Sequence, residues 1–199
     1  NANILRQRLE EQGSIFFSSS DSEIILHLIQ RGKGSMMDKI AAACRQMEGA
    51  FAFLVLTEHS MYAVRDRHGL RPLSYAKVQD GYCISSETCT YDVISGRSIV
   101  DVQPGEIVKF SDDRVEHFRS APAERPAMCA MEYIYFSRPD SVLEDVSVHT
   151  ARKLCGRMLA LQDEREGLQA DMVVGVPDSS LSAALGYSLQ SGLPNELGL

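Results

Sequence analysis

The chain has 199 residues, of which 44% are hydrophobic, 24% charged and 7% aromatic, and this composition is typical of a packed globular protein. Twenty Lys and Arg against 27 Asp and Glu give a net charge of −7, which disfavours nonspecific binding to nucleic acid. The sequence shows neither the apolar run of a membrane helix nor the pattern of a signal peptide. We therefore expect a cytoplasmic protein that binds neither nucleic acid nor membranes.

Three short helices are predicted before the first strand of a sheet. The spacing of apolar residues indicates these helices at 3–11, 21–31 and 35–47. The second helix should begin with a capping box, in which the Ser20 hydroxyl bonds the backbone amide three residues later and the Glu23 side chain reaches back to the Ser20 amide. A brief strand is expected at 14–17, between the first two helices.

Strand-forming runs separated by turn residues predict an antiparallel meander in the middle of the chain. Its first two strands should form a hairpin over 50–65 that turns at Glu58-His59-Ser60. Further strands are expected at 73–78, 82–85, 99–102, 107–110 and 114–118. Asp112-Asp113 should supply the last turn, and a helical turn over 88–94 should interrupt the series.

A change of composition between Arg119 and Pro126, where Ser, Ala, Pro and charged residues predominate, predicts a domain boundary near residue 120. Beyond it the predicted elements alternate: strand 132–136, helix 147–162, strand 172–176 and helix 181–190. This alternation is typical of a parallel sheet with crossover helices. The predicted fold class is therefore α/β, with an α+β first part.

The clearest candidate site is the loop Pro177-Asp178-Ser179-Ser180, which follows an apolar strand and precedes a helix. A loop at the carboxyl end of a parallel strand places backbone amides and a helix N-terminus where phosphate or pyrophosphate binds. The same residues are also common in an ordinary connection from strand to helix, in which Ser caps the helix. The residues alone leave both interpretations open.

Three other features have a structural and a functional interpretation. The charged segment 65–73 could bind an anion, although Asp66 and Gly69 are also typical of a tight connection whose arginines face water. Asp21 either caps its helix or holds the ammonium group of a substrate. Cys129 is one of five widely spaced cysteines without a CxxC pair, which argues against a disulfide framework or a zinc finger and favours a packing role.

Several motifs together resemble a known family. The following segments are similar to the glutaminase domain of class II amidotransferases: Ser20–Glu23, Arg65–Leu73, Ser86–Thr88 and Pro104–Glu106. Three further segments are similar to the junction and the first part of the type I phosphoribosyltransferase domain in the amidophosphoribosyltransferase family: Glu132–Ser141, Ser147–Arg152 and Gly175–Ser180. The resemblance extends over essentially the whole chain.

This resemblance implies the C-terminal part of an Ntn-hydrolase αββα glutaminase domain over 1–120, followed by the start of a phosphoribosyltransferase domain over 121–199. The family makes 5-phosphoribosylamine, pyrophosphate and glutamate from glutamine and phosphoribosyl pyrophosphate, the first committed step of purine synthesis. In the family, an N-terminal cysteine attacks glutamine and an Asn-Gly pair forms the oxyanion hole. Since the sequence has neither feature, we expect an internal fragment without a catalytic nucleophile, inactive by itself.

The resemblance also implies roles for individual residues. Asp21 would bind the amino group of glutamine, and Asp178, Ser179 and Ser180 would form the pyrophosphate loop, with Ser179 near Mg²⁺. The surroundings of Cys129 are similar to those in the Bacillus-type branch, where this cysteine ligates a 4Fe-4S cluster with three later cysteines. The enteric branch also has a cysteine here but no cluster, so the resemblance leaves both alternatives open. Purine nucleotides as feedback inhibitors and a homo-oligomer are implied as well.

Two alternative functions remain open at this point. One is a regulator that binds phosphoribosyl pyrophosphate without catalysis, and the other is a class II amidotransferase that transfers ammonia to a different acceptor. The glutaminase-like first part argues against the regulator, because a sensor needs no source of ammonia. The junction motif over 132–141 argues against a different acceptor.

Overall fold

The computed structural model describes residues 1–111, 114–120 and 125–198. The predicted turn at Asp112-Asp113 and the middle of the predicted linker lie outside these residues. The chain divides into two compact units, one comprising Asn1–Arg71 with Val102–Ala127 and the other Pro72–Asp101 with Met128–Leu199. Within the described ranges, no helix is both long and apolar enough to cross a membrane.

The described residues form helices, mostly short strands and one π-helical turn. The helices are α1 (Ala2–Glu11), α2 (Ser22–Arg31), α3 (Met36–Cys44), α4 (Cys89–Val93), α5 (Val148–Glu166) and α6 (Leu181–Ser191). The strands are β1 (Ala52–Leu56), β2 (Met61–Arg65), β3 (Ser74–Val78), β4 (Gly81–Ser85), β5 (Arg97–Asp101), β6 (Glu106–Ser111), β7 (Arg114–Arg119), β8 (Val142–Leu143), β9 (Val146–Ser147), β10 (Val173–Val174) and β11 (Asn195–Glu196). A single π-helical turn spans Glu132–Phe136.

The first unit packs three helices on an antiparallel sheet of order β1-β2-β6-β7. The predicted hairpin is confirmed, because β1 and β2 pair from Ala52 with Arg65 to Leu56 with Met61. Apolar residues of the helices, such as Leu9 and Ile40, form one buried cluster with Ile107 of the sheet. The apolar stripes that predicted the helices are therefore the surfaces that bury this core.

The start of α2 differs from the prediction. No strand forms at 14–17, and the Glu23 carboxylate accepts hydrogen bonds from the Phe17 amide (2.8 Å), the Ser18 amide (2.9 Å) and the Ser18 hydroxyl (2.6 Å). These bonds lower the pKa of Glu23, the Ser18 hydroxyl having the largest effect. The capping box predicted at Ser20 was therefore wrong. The structure forms a capping box at the start of α3 instead, between Ser35 and Asp38.

The predicted single meander was also wrong, because its strands divide between two sheets. Strands β3, β4 and β5 form a separate antiparallel sheet of order β4-β3-β5 in the second unit. Fully buried Tyr91 of α4 packs against this sheet: its hydroxyl accepts a hydrogen bond from the Ser85 amide (3.0 Å) and bonds the Ser74 hydroxyl (3.0 Å). The predicted turn at 88–94 is confirmed as α4.

The strand predicted at 132–136 is a π-helical turn, in which the Ser137 amide bonds the Glu132 carbonyl (3.1 Å). Its aromatic composition is typical of a strand, but the first residue, Glu132, is buried and accepts a hydrogen bond from the Ser137 hydroxyl (3.1 Å). Arg152 of α5 donates to the carbonyls of Tyr133 (2.6 Å) and Ser137 (2.7 Å). These tertiary bonds stabilise a turn that the local sequence does not indicate.

The predicted alternation of helices and strands after this turn is confirmed in outline. Helix α5 begins after Ser147, whose side chain accepts a hydrogen bond from the Thr150 amide, and ends at Gly167 with φ 72°. Strand β10 is shorter than predicted and pairs in parallel with β11. Helices α5 and α6 pack closely, because Gly156 faces the Ala183 carbonyl and Gly186 faces the Lys153 carbonyl with no room for a Cβ atom.

Candidate functional site

The loop between β10 and α6 connects a parallel strand to the N-terminus of a helix. Strand β10 ends at Val174, and α6 begins at Leu181 after a turn over 177–180. Gly175 is buried, and a Cβ atom there would lie 3.0 Å from Ala184 of α6, so glycine lets the chain pass close to the helix. The Pro177–Asp178 peptide bond is cis.

The two serines of this loop do not make the cap that an ordinary connection would have. Ser180 occupies the N-cap position of α6 but makes no side-chain capping bond. Its hydroxyl donates instead to the carbonyl of Val176. Asp178 is exposed, and Ser179 is half-buried. The loop therefore presents a carboxylate and hydroxyl groups beside the positive end of a helix, an arrangement suited to a phosphate group and an associated cation.

Asp21 is the N-cap residue of α2 and is exposed. Its side chain makes no capping hydrogen bond, but the helix dipole still stabilises a carboxylate at this position, so both interpretations stay open. The nearest polar partner of this carboxylate is the Ser22 hydroxyl, at 3.5 Å. An exposed carboxylate at this position is available to an ammonium group.

The charged segment that begins at the end of β2 has a structural role at Arg65. Arg65 is 2% exposed and donates to the carbonyls of Gly69 (2.9 Å), Arg71 (2.8 Å) and Val102 (2.8 Å). The expectation that the arginines of this segment face water was therefore wrong for Arg65, since these carbonyls replace water around its guanidinium.

Asp66 is fully buried and accepts hydrogen bonds from the amides of His68 (2.9 Å) and Leu70 (3.0 Å). Gly69, between them, has φ 63°, a left-handed conformation that glycine adopts without strain. Asp66 and Gly69 thus form the tight connection that was one of the two interpretations, and the Asp66 carboxylate is occupied by backbone amides.

Cys129 lies just before the π-helical turn and is half-buried with a free thiol. Across 1–111, 114–120 and 125–198, no three or more His, Cys, Asp or Glu side chains are grouped as metal ligands. One thiolate cannot hold a 4Fe-4S cluster, which takes four ligands. The described residues therefore do not form a cluster site by themselves.

Two polar contacts near the loop and the junction were missed in the sequence analysis. Glu87 accepts hydrogen bonds from the Arg138 amide (2.7 Å) and the Ser141 hydroxyl (2.9 Å). His149 of α5 bonds Ser182 of α6 through Nδ1 at 2.9 Å. The partners are 33 to 54 residues apart, so no spacing in the sequence could have indicated these pairs.

Comparison with known proteins finds relatives of one kind. A family model described as a glutamine amidotransferase domain matches residues 1–91. The amidophosphoribosyltransferase of Bacillus subtilis (strain 168) is 46% identical over 200 residues, covering 100% of this chain and 41% of the relative. That of Staphylococcus epidermidis is 45% identical, covering 100% of the chain and 40% of the relative.

The chain is homologous to the amidophosphoribosyltransferases along its whole length. A solved structure of glutamine phosphoribosylpyrophosphate amidotransferase from B. subtilis, complexed with ADP and GMP, matches with a TM-score of 0.94 and 46% identity, over 100% of this chain and 43% of that one. The structure of "the allosteric regulatory enzyme of purine biosynthesis" matches with a TM-score of 0.93 and 45% identity, over 100% and 42%.

These matches confirm the family resemblance and the α/β fold class. The chain spans about 41% of the length of the B. subtilis amidophosphoribosyltransferase. Because the similar relatives and solved structures match over all of this chain, Asp21 and the loop over 177–180 both lie within the region that they share.

Proposed function

We propose that the protein carrying this chain transfers the amide nitrogen of glutamine to phosphoribosyl pyrophosphate, yielding 5-phosphoribosylamine, pyrophosphate and glutamate. The observation that carries this proposal is the match to the B. subtilis enzyme, at 46% identity and a TM-score of 0.94 over 100% of the chain. The glutamine amidotransferase model matches only 1–91 and would fit other class II amidotransferases. The similarity beyond residue 91 favours phosphoribosyl pyrophosphate as the acceptor.

Residues 1–120 would form part of an Ntn-hydrolase glutaminase domain, and residues 121–199 the start of a phosphoribosyltransferase domain. The antiparallel sheet of the first unit and the parallel pair β10–β11 support these assignments. This is a division by function and differs from the division into compact units, in which Pro72–Asp101 group with Met128–Leu199. On this proposal the catalytic nucleophile of the glutaminase is not among the residues of this chain.

The loop over 177–180 would bind the pyrophosphate of the second substrate. Pyrophosphate oxygens would accept hydrogen bonds from the hydroxyl of Ser179 and from amides at the start of α6, whose dipole stabilises negative charge. The Ser180 hydroxyl donates to the Val176 carbonyl within the loop, so Ser180 would support the loop around the bound group. Asp178 and Ser179 carry the hard oxygen ligands that suit Mg²⁺. When bound, Mg²⁺ supplies neutralisation of the charge on the leaving pyrophosphate. The loop residues orient that group and hold it beside the helix N-terminus.

Asp21 would hold the α-ammonium group of glutamine. Its exposed carboxylate, without a capping bond of its own, supports this role. Ion pairing there would place the substrate relative to the nucleophile of the complete enzyme and would leave the second site unaffected. The two sites are therefore separable by mutation.

The remaining assignments rest on the family. Cys129 would supply one ligand of a 4Fe-4S cluster, with the other ligands outside the described residues. Purine nucleotides would act as feedback inhibitors, since the B. subtilis relative is solved with ADP and GMP. The protein would form a homo-oligomer and lie in the cytoplasm.

The proposal is tested by measuring products from the full-length protein with glutamine and phosphoribosyl pyrophosphate. We expect glutamate and pyrophosphate in equal amounts, and pyrophosphate release that persists when ammonia replaces glutamine. Binding of phosphoribosyl pyrophosphate without consumption of glutamine would instead indicate a regulator. Glutamine hydrolysis that never releases pyrophosphate would indicate an amidotransferase with another acceptor.

A further inference from the structure

The first turn of α5 contacts the first turn of α6, the helix that follows the candidate pyrophosphate loop. His149 Nδ1 lies 2.9 Å from Ser182 Oγ. Ser182 is the second residue of α6, is only 5% exposed and comes two residues after Ser180, the last residue of the loop. A buried hydroxyl that bonds a side chain on another helix restrains the start of its own helix.

We propose that His149 is a positioning residue for the pyrophosphate loop, acting through Ser182. The hydrogen bond holds the start of α6 at a fixed distance from α5, and thereby holds the loop and the first amides of α6 where pyrophosphate oxygens meet them. This inference rests on the proposed function of the loop. It assigns His149 no contact with the substrate.

Hydrogen bonds to other parts of the chain hold the start of α5, where His149 lies. Its backbone amide donates to the Pro139 carbonyl (2.9 Å), and the Val148 amide donates to the Ser141 carbonyl (3.0 Å). One turn later, the buried guanidinium of Arg152 bonds two backbone carbonyls of the π-helical turn and its flank. The start of α5 is thus held by several hydrogen bonds that do not involve α6. Because His149 is held in this way, its bond to Ser182 fixes the position of the start of α6.

The other contacts between these helices lie farther from the loop. Gly156 lets the α5 backbone approach α6 at Ala183 and Tyr187, and Gly186 lets α6 approach Lys153. These backbone contacts set the distance between the helices but supply no side-chain hydrogen bond that fixes the tilt of α6. The bond between His149 and Ser182 restrains this tilt at the end that carries the loop. A small displacement there moves donors out of hydrogen-bonding range.

The experiment uses the full-length protein with ammonia as the nitrogen source, so that the glutamine site is bypassed. We expect His149→Ala to raise the KM for phosphoribosyl pyrophosphate about 3- to 10-fold, the effect of one lost hydrogen bond, with kcat and glutamine hydrolysis near wild type. His149→Asn should restore the wild-type KM, because its amide occupies a position near Nδ1. Exposed His59, which pairs only with its neighbour Glu58, gives the matched control His59→Ala.

Ser182→Ala tests the same bond from the other side, and also serves if His149→Ala fails to fold. It should raise the KM as much as His149→Ala, and the double variant should show no further increase, because both changes remove one interaction.

An unchanged KM in both single variants, effects that multiply in the double variant, or failure of His149→Asn to restore binding would each overturn the inference. Equal losses in thermal stability and in both activities would overturn it too, in favour of a general structural role. If the proposed function itself were wrong, the wild-type protein would release no pyrophosphate from ammonia and phosphoribosyl pyrophosphate. That result differs from every outcome that would overturn only the role of His149.

Discussion

Replacing Gly156 with alanine tests the packing that carries the pyrophosphate loop. In an exposed helix, Gly→Ala stabilises by about 1 kcal/mol, because alanine has the higher helix propensity. Gly156 is buried, however, and a Cβ atom there would lie 2.7 Å from the carbonyl carbon of Ala183 and 2.9 Å from the amide nitrogen of Tyr187. Ordinary van der Waals contact begins near 3.4 Å, and the Ala183 carbonyl oxygen is nearer still than the carbonyl carbon, so α5 and α6 would have to separate by well over about 0.7 Å.

The obstacle is backbone on both sides, so no side-chain rotation relieves it. Overpacking of this kind costs about 1–3 kcal/mol, and the separation also loosens contacts along the helix pair. Because the nearest obstacle is a backbone carbonyl group, the cost lies at the upper end of this range, about 2–3 kcal/mol. Less the gain of about 1 kcal/mol in helix propensity, we expect Gly156→Ala to lower the free energy of unfolding by about 1–2 kcal/mol. Because α6 follows the loop directly, ammonia-dependent activity should fall as well.

The assay is urea unfolding of the full-length protein, followed by circular dichroism, with Gly81→Ala as the matched control. A Cβ atom at Gly81 meets nothing within 4 Å, and its φ is not positive, so alanine there should change the free energy of unfolding by no more than about 0.5 kcal/mol. If Gly156→Ala is as stable as the control or more stable, the close helix contact is not as described and the reasoning fails.

Three further predictions separate the two sites and test one cap. Asp21→Asn should abolish most glutamine-dependent activity and leave ammonia-dependent activity near wild type, which parallel assays with the two nitrogen sources would show. Asp178→Asn should raise the KM for phosphoribosyl pyrophosphate about 10-fold or more, because a charged ligand is lost, while glutaminase activity is retained; equal loss of both activities would contradict this. Bonds from Ser35 lower the pKa of Asp38, so the stability from this cap is present above the unfolded pKa and is lost as the pH falls through the folded pKa. The acid limb of a stability profile should therefore be flatter in Asp38→Asn than in wild type.

Local patterns predicted the elements better than they predicted their arrangement. The hairpin of β1 and β2 follows from two strand-forming runs and a short polar turn, all within 15 residues of one another. The division of the strands into two sheets was missed, because β2 pairs with β6 and skips the three strands between them. Which strands pair depends on how each face of a strand is buried in the complete fold. A short stretch of sequence does not contain this information.

The same limit explains the errors at single residues. The run over 132–136 is aromatic and resembles a strand, but the bonds from Arg152, some 15 to 19 residues later, favour a π-helical turn. Arg65 was expected to face water because charged residues usually do. It is buried because three backbone carbonyls accept its hydrogen bonds, and carbonyl positions cannot be inferred from side-chain types.

The candidate site contains one part that the sequence predicted and one part that it did not. The loop over 177–180 was predicted because its chemistry is local: an apolar strand, hydroxyl residues and a helix follow in order. The support behind it, His149 and Ser182, was not predicted because it depends on how α5 and α6 pack. The substrate of the loop was inferred from the family resemblance. The geometry of the loop suits an anion but does not indicate which anion binds.

The most direct test of the central claim follows the amide nitrogen itself. The full-length protein would be supplied with phosphoribosyl pyrophosphate and glutamine carrying an isotopic label in the amide, and the products would be examined by mass spectrometry. The account predicts that the label appears in 5-phosphoribosylamine, in step with release of pyrophosphate. Label that remains in glutamine, or that is found only in free ammonia while phosphoribosyl pyrophosphate is unchanged, would contradict it.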